Sequence, residues 1–264
     1  MRKRRSLTVL IAAASLLALS TSTASAAPSS DDAITAKIQA FIVANPFDYL
    51  GIDKLVFKYL GEHIQFQVLG SKTPVTAAEA AALKAEADAA GDVVPMSGIP
   101  TPWMGVGSYG ITGGKRFWGS WDYPNGAWAG QGSPVDIAGL EESTDSCTRT
   151  QNGFVDTYSA TGSETSLGST RTVYPNQGWL WNIRDYTTNF TPQADHGTVM
   201  FDIVRTSLCG SRTLNVGVAF DYEGNLGCGI TGVSMGFWVF AVSYSCNPVE
   251  GHWGTDPTWV YIYP

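Results

Sequence analysis

Apolar residues follow three different rhythms along this chain. The first is a nearly continuous run, Leu7 to Leu19. Arg2, Lys3, Arg4 and Arg5 precede it and Ala24-Ser25-Ala26 follows it. A charged start, a short apolar middle and a small-residue end form the pattern of a secretory signal peptide, cleaved after Ala26. The run is too short for a spanning helix and carries no stop-transfer cluster.

The second rhythm is helical. Ile34, Ile38, Phe41 and Ile42 recur at i, i+4, i+7 and i+8, with Asp31 and Asp32 at the positive end and Pro46 as the stop. Residues 50–60 leave a second short helix open. Thr76-Ala77-Ala78-Glu79 is a capping box, opening an Ala-rich helix that stops near Gly91. Between the helical segments, Ile64, Phe66 and Val68 alternate with Gln65 and Gln67 as a half-buried strand does. These residues, 27–91, are expected to form a small α-rich module. Residues 92–102, with Pro95, Pro100 and Pro102, read as a linker.

The third rhythm has period two and fills residues 103–264. Candidate strands are 104–111, 115–121, 134–139, 153–159, 169–174, 178–186, 197–206, 213–222, 231–244 and 257–263. The clearest alternates Leu214, Val216, Val218, Phe220 and Tyr222 with Asn215, Gly217, Ala219 and Asp221. Many short strands, Gly-rich turns and no clear internal repeat predict a mainly β fold: an antiparallel β-sandwich or jelly roll with a small α-rich N-terminal module. Gly224 to Pro248 has no charged residue, and Val233 to Tyr244 is apolar at both parities. That pattern is read as a buried central strand rather than a membrane-inserting hairpin.

Charge narrows the partners. The chain carries 16 Lys+Arg and 23 Asp+Glu, for a net of −7. Loss of residues 1–26 removes four basic residues and no acidic ones, leaving −11. Such a protein is repelled by phosphate backbones, so nucleic acid is excluded as the expected partner. No membrane span is expected after processing. Cys147, Cys209, Cys228 and Cys246 are an even set in an exported chain and predict two disulfides. Three pairings are open, and locality favours Cys228 with Cys246. No CxxC spacing occurs, so neither a zinc site nor a cofactor is expected.

Two motif matches lack their context. Gly232-Val233-Ser234-Met235-Gly236 fits the nucleophile elbow but lies within β pattern, without the following helix. Gly105 to Gly110 fits GxGxxG but runs into Thr112-Gly113-Gly114, a turn, where a dinucleotide site needs a helix.

The most suggestive cluster is aromatic. Trp118, Trp121, Asp122, Tyr123, Asn125 and Trp128 fall among Gly and Asn, and read as a loop tip whose rings stack on sugars. On that reading Trp121→Ala weakens retention on a polysaccharide and leaves stability untouched. Trp179 and Trp181 read as core. Asp195, His196, Glu250 and His252 are weaker candidates for an acid/base cluster, should their loops share one end of the fold. Asp202 and Asp221 oppose the apolar faces of their strands and are expected in water.

The leading expectation is a secreted protein that binds an extracellular polysaccharide or cell-surface component through aromatic loops. Its alternatives are a secreted hydrolase of a polymer using the carboxylate and histidine candidates, and an interaction or toxin-like protein with residues 27–91 as a pro-segment.

Overall fold

The computed structural model describes residues 30–90, 102–122, 136–142, 148–158, 168–174, 178–183, 196–206, 212–223, 230–235, 240–244, 250–254 and 258–262. Three helices come first. Helix α1 spans Ser30–Ala44, α2 spans Tyr49–Leu60 and α3 spans Ala77–Ala90. Their ends obey local chemistry. The Asp48 carboxylate accepts from the Gly51 N–H at 2.9 Å and caps α2. Gly61, at φ 71°, closes α2 in the left-handed conformation, its N–H donating to the Phe57 carbonyl. The capping box before α3 forms as expected. The Thr76 N–H donates to Glu79 Oε2 at 2.8 Å, and the Glu79 N–H donates to Thr76 Oγ1 at 3.3 Å. The bond from the Thr76 backbone holds the Glu79 carboxyl below its ordinary pKa.

Fourteen strands follow or interleave among the described residues. Strands β1 (Gln65–Val68), β2 (Val75–Thr76), β3 (Trp103–Ile111), β4 (Gly114–Asp122), β6 (Thr148–Tyr158) and β9 (His196–Arg205) make one antiparallel sheet, in the order β2-β1-β3-β4-β9-β6. Strands β5 (Asp136–Glu142), β7 (Gly168–Tyr174), β8 (Gly178–Ile183), β10 (Arg212–Glu223) and β13 (Glu250–Gly254) make a second, in the order β13-β10-β5-β8-β7. Strand β14 (Thr258–Ile262) also pairs with β10. Strands β11 (Ile230–Met235) and β12 (Phe240–Tyr244) pair as a two-stranded sheet. The architecture is thus mixed α/β, with two larger antiparallel sheets and three helices, where a mainly β fold with a small α-rich N-terminal module was expected.

The first sheet is buried on both faces. Towards the second sheet, Met104, Val106, Phe117, Trp121, Val199, Phe201 and Ile203 share one core with Ala138, Leu140, Trp181 and Ile183. On the other face, Phe66, Val68, Tyr109, Trp118 and Met200 pack against Ile38 and Ile42 of α1, Ile52 and Val56 of α2, and Ala80 of α3. The helices are therefore built onto the sheet, and β1 joins it directly through Gln67↔Val106 and Val68↔Gly105.

Burial on both faces explains several departures from the alternating pattern. Gln67, expected towards water, is fully buried, and its Nε2 donates to the Ser71 carbonyl. Asp202, also expected in water, is buried because the helices cover its face. There it forms a two-point ion pair: Arg116 Nε donates to Oδ1 at 2.6 Å and Nη2 to Oδ2 at 2.9 Å. Asn152 Nδ2 adds a bond to Oδ2 at 2.7 Å, and Arg116 Nη1 donates to Gln39 Oε1 of α1 at 2.5 Å. Asn152 is at φ 54°, beside the register shift between Gln151 and Phe154 where β6 bulges against β9. Burial lowers the Arg116 pKa, but the bonds and charge of Asp202 outweigh it and the net shift is upward.

The segment expected as one strand, 231–244, is instead two strands, β11 and β12, paired with each other in antiparallel register. Strand β13, which carries Glu250 and His252, was absent from the expected set. The GxGxxG residues lie inside β3, in register with β4, and Gly113 turns between the two at φ 76°. The expectation of a disulfide-pinned β domain is corrected: no disulfide bond is found among the described residues, and both cores described are assembled without cysteine. Cys147, Cys209, Cys228 and Cys246 all lie outside the described residues.

Candidate functional site

The expected aromatic platform is corrected first. Trp118 and Trp121 are 1% and 0% exposed. They stand three apart in β4, so the pleat sends them to opposite faces of the sheet. Trp118 meets Phe66 and Tyr109 beneath the helices, and Trp121 joins the core between the sheets. The glycines around them are part of the same packing. Gly107 is the register partner of Trp118, and a Cβ built there would stand 2.6 Å from its ring. Gly197 is the partner of Trp121, at 2.4 Å by the same measure. A large ring covering a cross-strand glycine fills the gap that the missing side chain leaves. Glycine near tryptophan is here a packing device. Tyr123, Asn125 and Trp128 lie outside the described residues. Trp181 is core as expected, and Trp179 stacks on it at 6.0 Å.

The acid/base candidates divide between the sheets. Asp195 lies outside the described residues. His196 opens β9, opposite Asp122 of β4 on one side and Tyr158 of β6 on the other. Its ring stacks on Tyr158 at 5.3 Å and meets Phe47 edge-on at 6.0 Å, so it faces the helices. Glu250 and His252 belong to β13, an edge strand of the second sheet, opposite Glu223 and Asp221 of β10. The first sheet thus stands between the His196 ring and the strand that carries the other two.

What the structure does assemble around Asp122 and His196 is a knot of charge. Lys84 of α3 lies 2.8 Å from Asp122 Oδ2 and 2.5 Å from Asp88 Oδ1, with its ammonium 5.2 Å from the Phe47 ring centroid. Burial lowers the Lys84 pKa, but the two carboxylates outweigh it and the net shift is upward. Beside it Tyr158 donates to the Asp156 carboxylate at 2.9 Å and reaches the Val43 carbonyl at 2.8 Å. Trp103 Nε1 donates to the Tyr49 hydroxyl at 2.7 Å. Asp122, expected to hold a ligand, is here the anchor of α3. The knot joins helices to sheet.

Two buried phenols give the same interface a pH signature. Burial pushes the Tyr109 hydroxyl up to about 12, against the pull of Arg116, and raises Tyr49 as well. An unfolded tyrosine titrates near pH ~10, so the folded state holds this proton longer. Its contribution is complete below pH ~10 and is lost as pH rises through the folded value. We expect stability to fall as pH rises from 10 towards 12, by roughly 1 kcal/mol per pH unit from Tyr109. The raised Lys84 value acts in the same direction. Calorimetric melting across pH 9 to 12 checks this, and Tyr109→Phe should flatten the slope.

An open cleft lies elsewhere, where the start of α1, the end of α2 and the end of β3 meet. Its volume is about 390 Å³. Ile34, Tyr59, Leu60 and Ile111 supply its apolar surface, and Asp31, Thr35, Glu62 and Thr112 its polar groups. Thr112 Oγ1 donates to Asp31 Oδ2 at 3.5 Å, while Glu62 Oε1 accepts from the Gly110 N–H at 2.6 Å. Lys37 and Lys58 place their ammonium groups 5.8 Å and 5.1 Å from the Tyr59 ring centroid. Sequence reading used Asp31 only as a helix-start acid and passed over Tyr59 and Glu62. They come together through the packing of α1 and α2 at the end of β3, and no local spacing announces that. Among the described residues, no group of His, Cys, Asp and Glu is arranged to hold a metal ion.

No protein-family model matches the chain, and no curated protein does. A solved structure described as "pH-induced modulation of Streptococcus parasanguinis adhesion by Fap1 fimbriae" aligns with 61% of this chain and 78% of its own. The identity is 13% and the TM-score 0.25. At that score the likeness supports no statement on fold or function.

Proposed function

We propose that this is an exported binding protein that takes sugar units of an extracellular glycan in the cleft between α1, α2 and β3. The observation that carries the reading is the cleft itself. A volume of about 390 Å³ is within the range of small-ligand sites. It offers apolar surface for the C–H face of a pyranose, and carboxylates and hydroxyls for its O–H groups. The two larger sheets, packed as a sandwich, serve as its rigid support. Export rests on the leader pattern of residues 1–26.

The hydrolase alternative is less favoured. Asp122 is held by Lys84, and the His196 ring is engaged with Tyr158 and Phe47. A cleaved pro-segment is also less favoured, because β1 pairs with β3 and the helices cover Trp118. Shedding residues 27–91 would expose that core face to water.

Asp31 is exposed and tests the cleft with little effect on folding. Asp31→Asn is expected to weaken oligosaccharide binding about tenfold, the size of losing one charge-assisted hydrogen bond, with melting temperature unchanged. Titration calorimetry against soluble oligosaccharides reads both the affinity and the ligand. Binding that is equal in the variant, or absent in the unaltered protein, removes the proposal.

A further inference from the structure

Helix α2 carries an open aromatic pair beside the cleft. Among the described residues, Leu50, Phe57 and Leu60 of α2 are large apolar side chains exposed to solvent, Phe57 at 50%. The Phe57 ring lies against the His63 imidazole, with centroids 4.4 Å apart and planes 13° from parallel. The His63 side chain is itself 66% exposed. Each ring gives one face to the other and keeps a second face and its edges towards water. Burial of apolar area does not account for a ring pair held flat at the surface.

Local chemistry fixes the pair. Gly61 ends α2 in the left-handed conformation and turns the chain back, and His63 comes to lie over Phe57. Asp53, one turn before Phe57, accepts from His63 Nδ1 at 2.9 Å and from the Ile64 N–H at 2.7 Å. With Nδ1 donating, Nε2 of the neutral ring is an acceptor. An imidazole tied at one nitrogen has less freedom to lose when a ligand arrives. The pair also adjoins the cleft. Glu62, the chain neighbour of His63, lines the cleft, and so does Leu60, three residues after Phe57 on the same helix. Helix residues at that spacing are surface neighbours, about 5–6 Å apart at Cβ.

We propose that Phe57 and His63 form a second sugar subsite next to the cleft, so that the ligand is a glycan chain of several units and not a single sugar. This inference rests on the cleft as the first sugar site. A flat aromatic face takes the C–H face of a pyranose, and His63 Nε2 takes one of its O–H groups. Leu60 is the apolar step from one subsite to the other. Each subsite alone holds its unit weakly. A chain already seated in the cleft presents its next units to the rings at high effective concentration, and the two contacts reinforce each other.

The experiment is titration calorimetry of the secreted chain with two-unit and six-unit β-1,4-linked oligomers of glucose, N-acetylglucosamine and mannose. In a series that binds, the six-unit oligomer should bind about tenfold more tightly than the two-unit one. Phe57→Ala should abolish that gain and leave the two-unit affinity unchanged, while Phe57→Tyr, which keeps the ring, should keep the gain. Asp31→Asn acts at the cleft and should weaken both lengths alike. Equal affinity for the two lengths, or a gain that survives Phe57→Ala, overturns the second subsite and leaves the cleft reading standing. Absence of binding at either length in every series removes both. Self-association that Phe57→Ala abolishes assigns the rings to a second copy and also overturns the subsite. Should Phe57→Ala fail to fold, His63→Ala reads the same gain from the other ring, and a gain left intact there overturns the proposal.

Discussion

Asp202→Ala is expected to lower stability by about 3–5 kcal/mol, measured by denaturant unfolding, because it leaves a buried cation without its partner. Arg116 is only 12% exposed at its side chain, and Asp202 takes two of its bonds. Asn152 also loses its acceptor, and Gln39 is left as the single carbonyl for the guanidinium. The loss reaches beyond one pair, since the network links α1, β4, β6 and β9. A buried pair is weak evidence of net stabilisation, and the size of this effect comes from orphaning a charge. The companion variant, Arg116→Met with Asp202→Leu, removes both charges and should recover much of the loss. If Asp202→Ala unfolds with the midpoint of the unaltered protein, the network is incidental to the fold.

Trp121→Ala is expected to cost about 3–5 kcal/mol, the range for truncating a buried aromatic residue. Sequence reading placed this ring on a loop tip and expected its loss to spare stability. The structure reverses the expectation, for Trp121 is fully buried and covers Gly197. Its removal opens a cavity between the two sheets that Phe117, Val199 and their neighbours can close only in part. Thermal melting decides the matter. An unchanged melting temperature would contradict the burial, and a large drop would explain any loss of ligand binding without a ligand contact.

These two residues also show where sequence reading succeeds and stops. Period and capping chemistry located α1 and α3 almost to the residue, because a 3.6-residue stripe and a Thr76/Glu79 cap are local signals. Most strands of the third rhythm were legible for the same reason. Composition misled where the cause was tertiary. Trp among Gly was read as an exposed tip, but Trp118 and Trp121 proved to cover Gly107 and Gly197, cross-strand glycines elsewhere in the chain, because register alone decides which glycine faces which ring. Asp202 opposed an apolar stripe and was assigned to water. The other side of its sheet carries helices whose docking no strand pattern can reveal.

The candidate site divides in the same way. Asp122 and His196 were singled out, and the sheet does make them neighbours, yet Lys84 and Tyr158 occupy them structurally. Asp31, Tyr59 and Glu62 gather around the cleft from α1, α2 and the turn before β1, and nothing in their spacing unites them.

By itself the sequence determined the leader pattern, the order of helices and strands, the acidic balance and the neutral stretch between Glu223 and Glu250. Each is a property of neighbouring residues or of a sum over them. Tertiary structure alone decided which tryptophans are core, that Asp202 is paired in the interior, that a cleft opens beside α1, and that β11 and β12 pair with each other. Those depend on register and on what packs across a sheet. Such contacts join residues far apart in the chain, where no local period carries a trace of them.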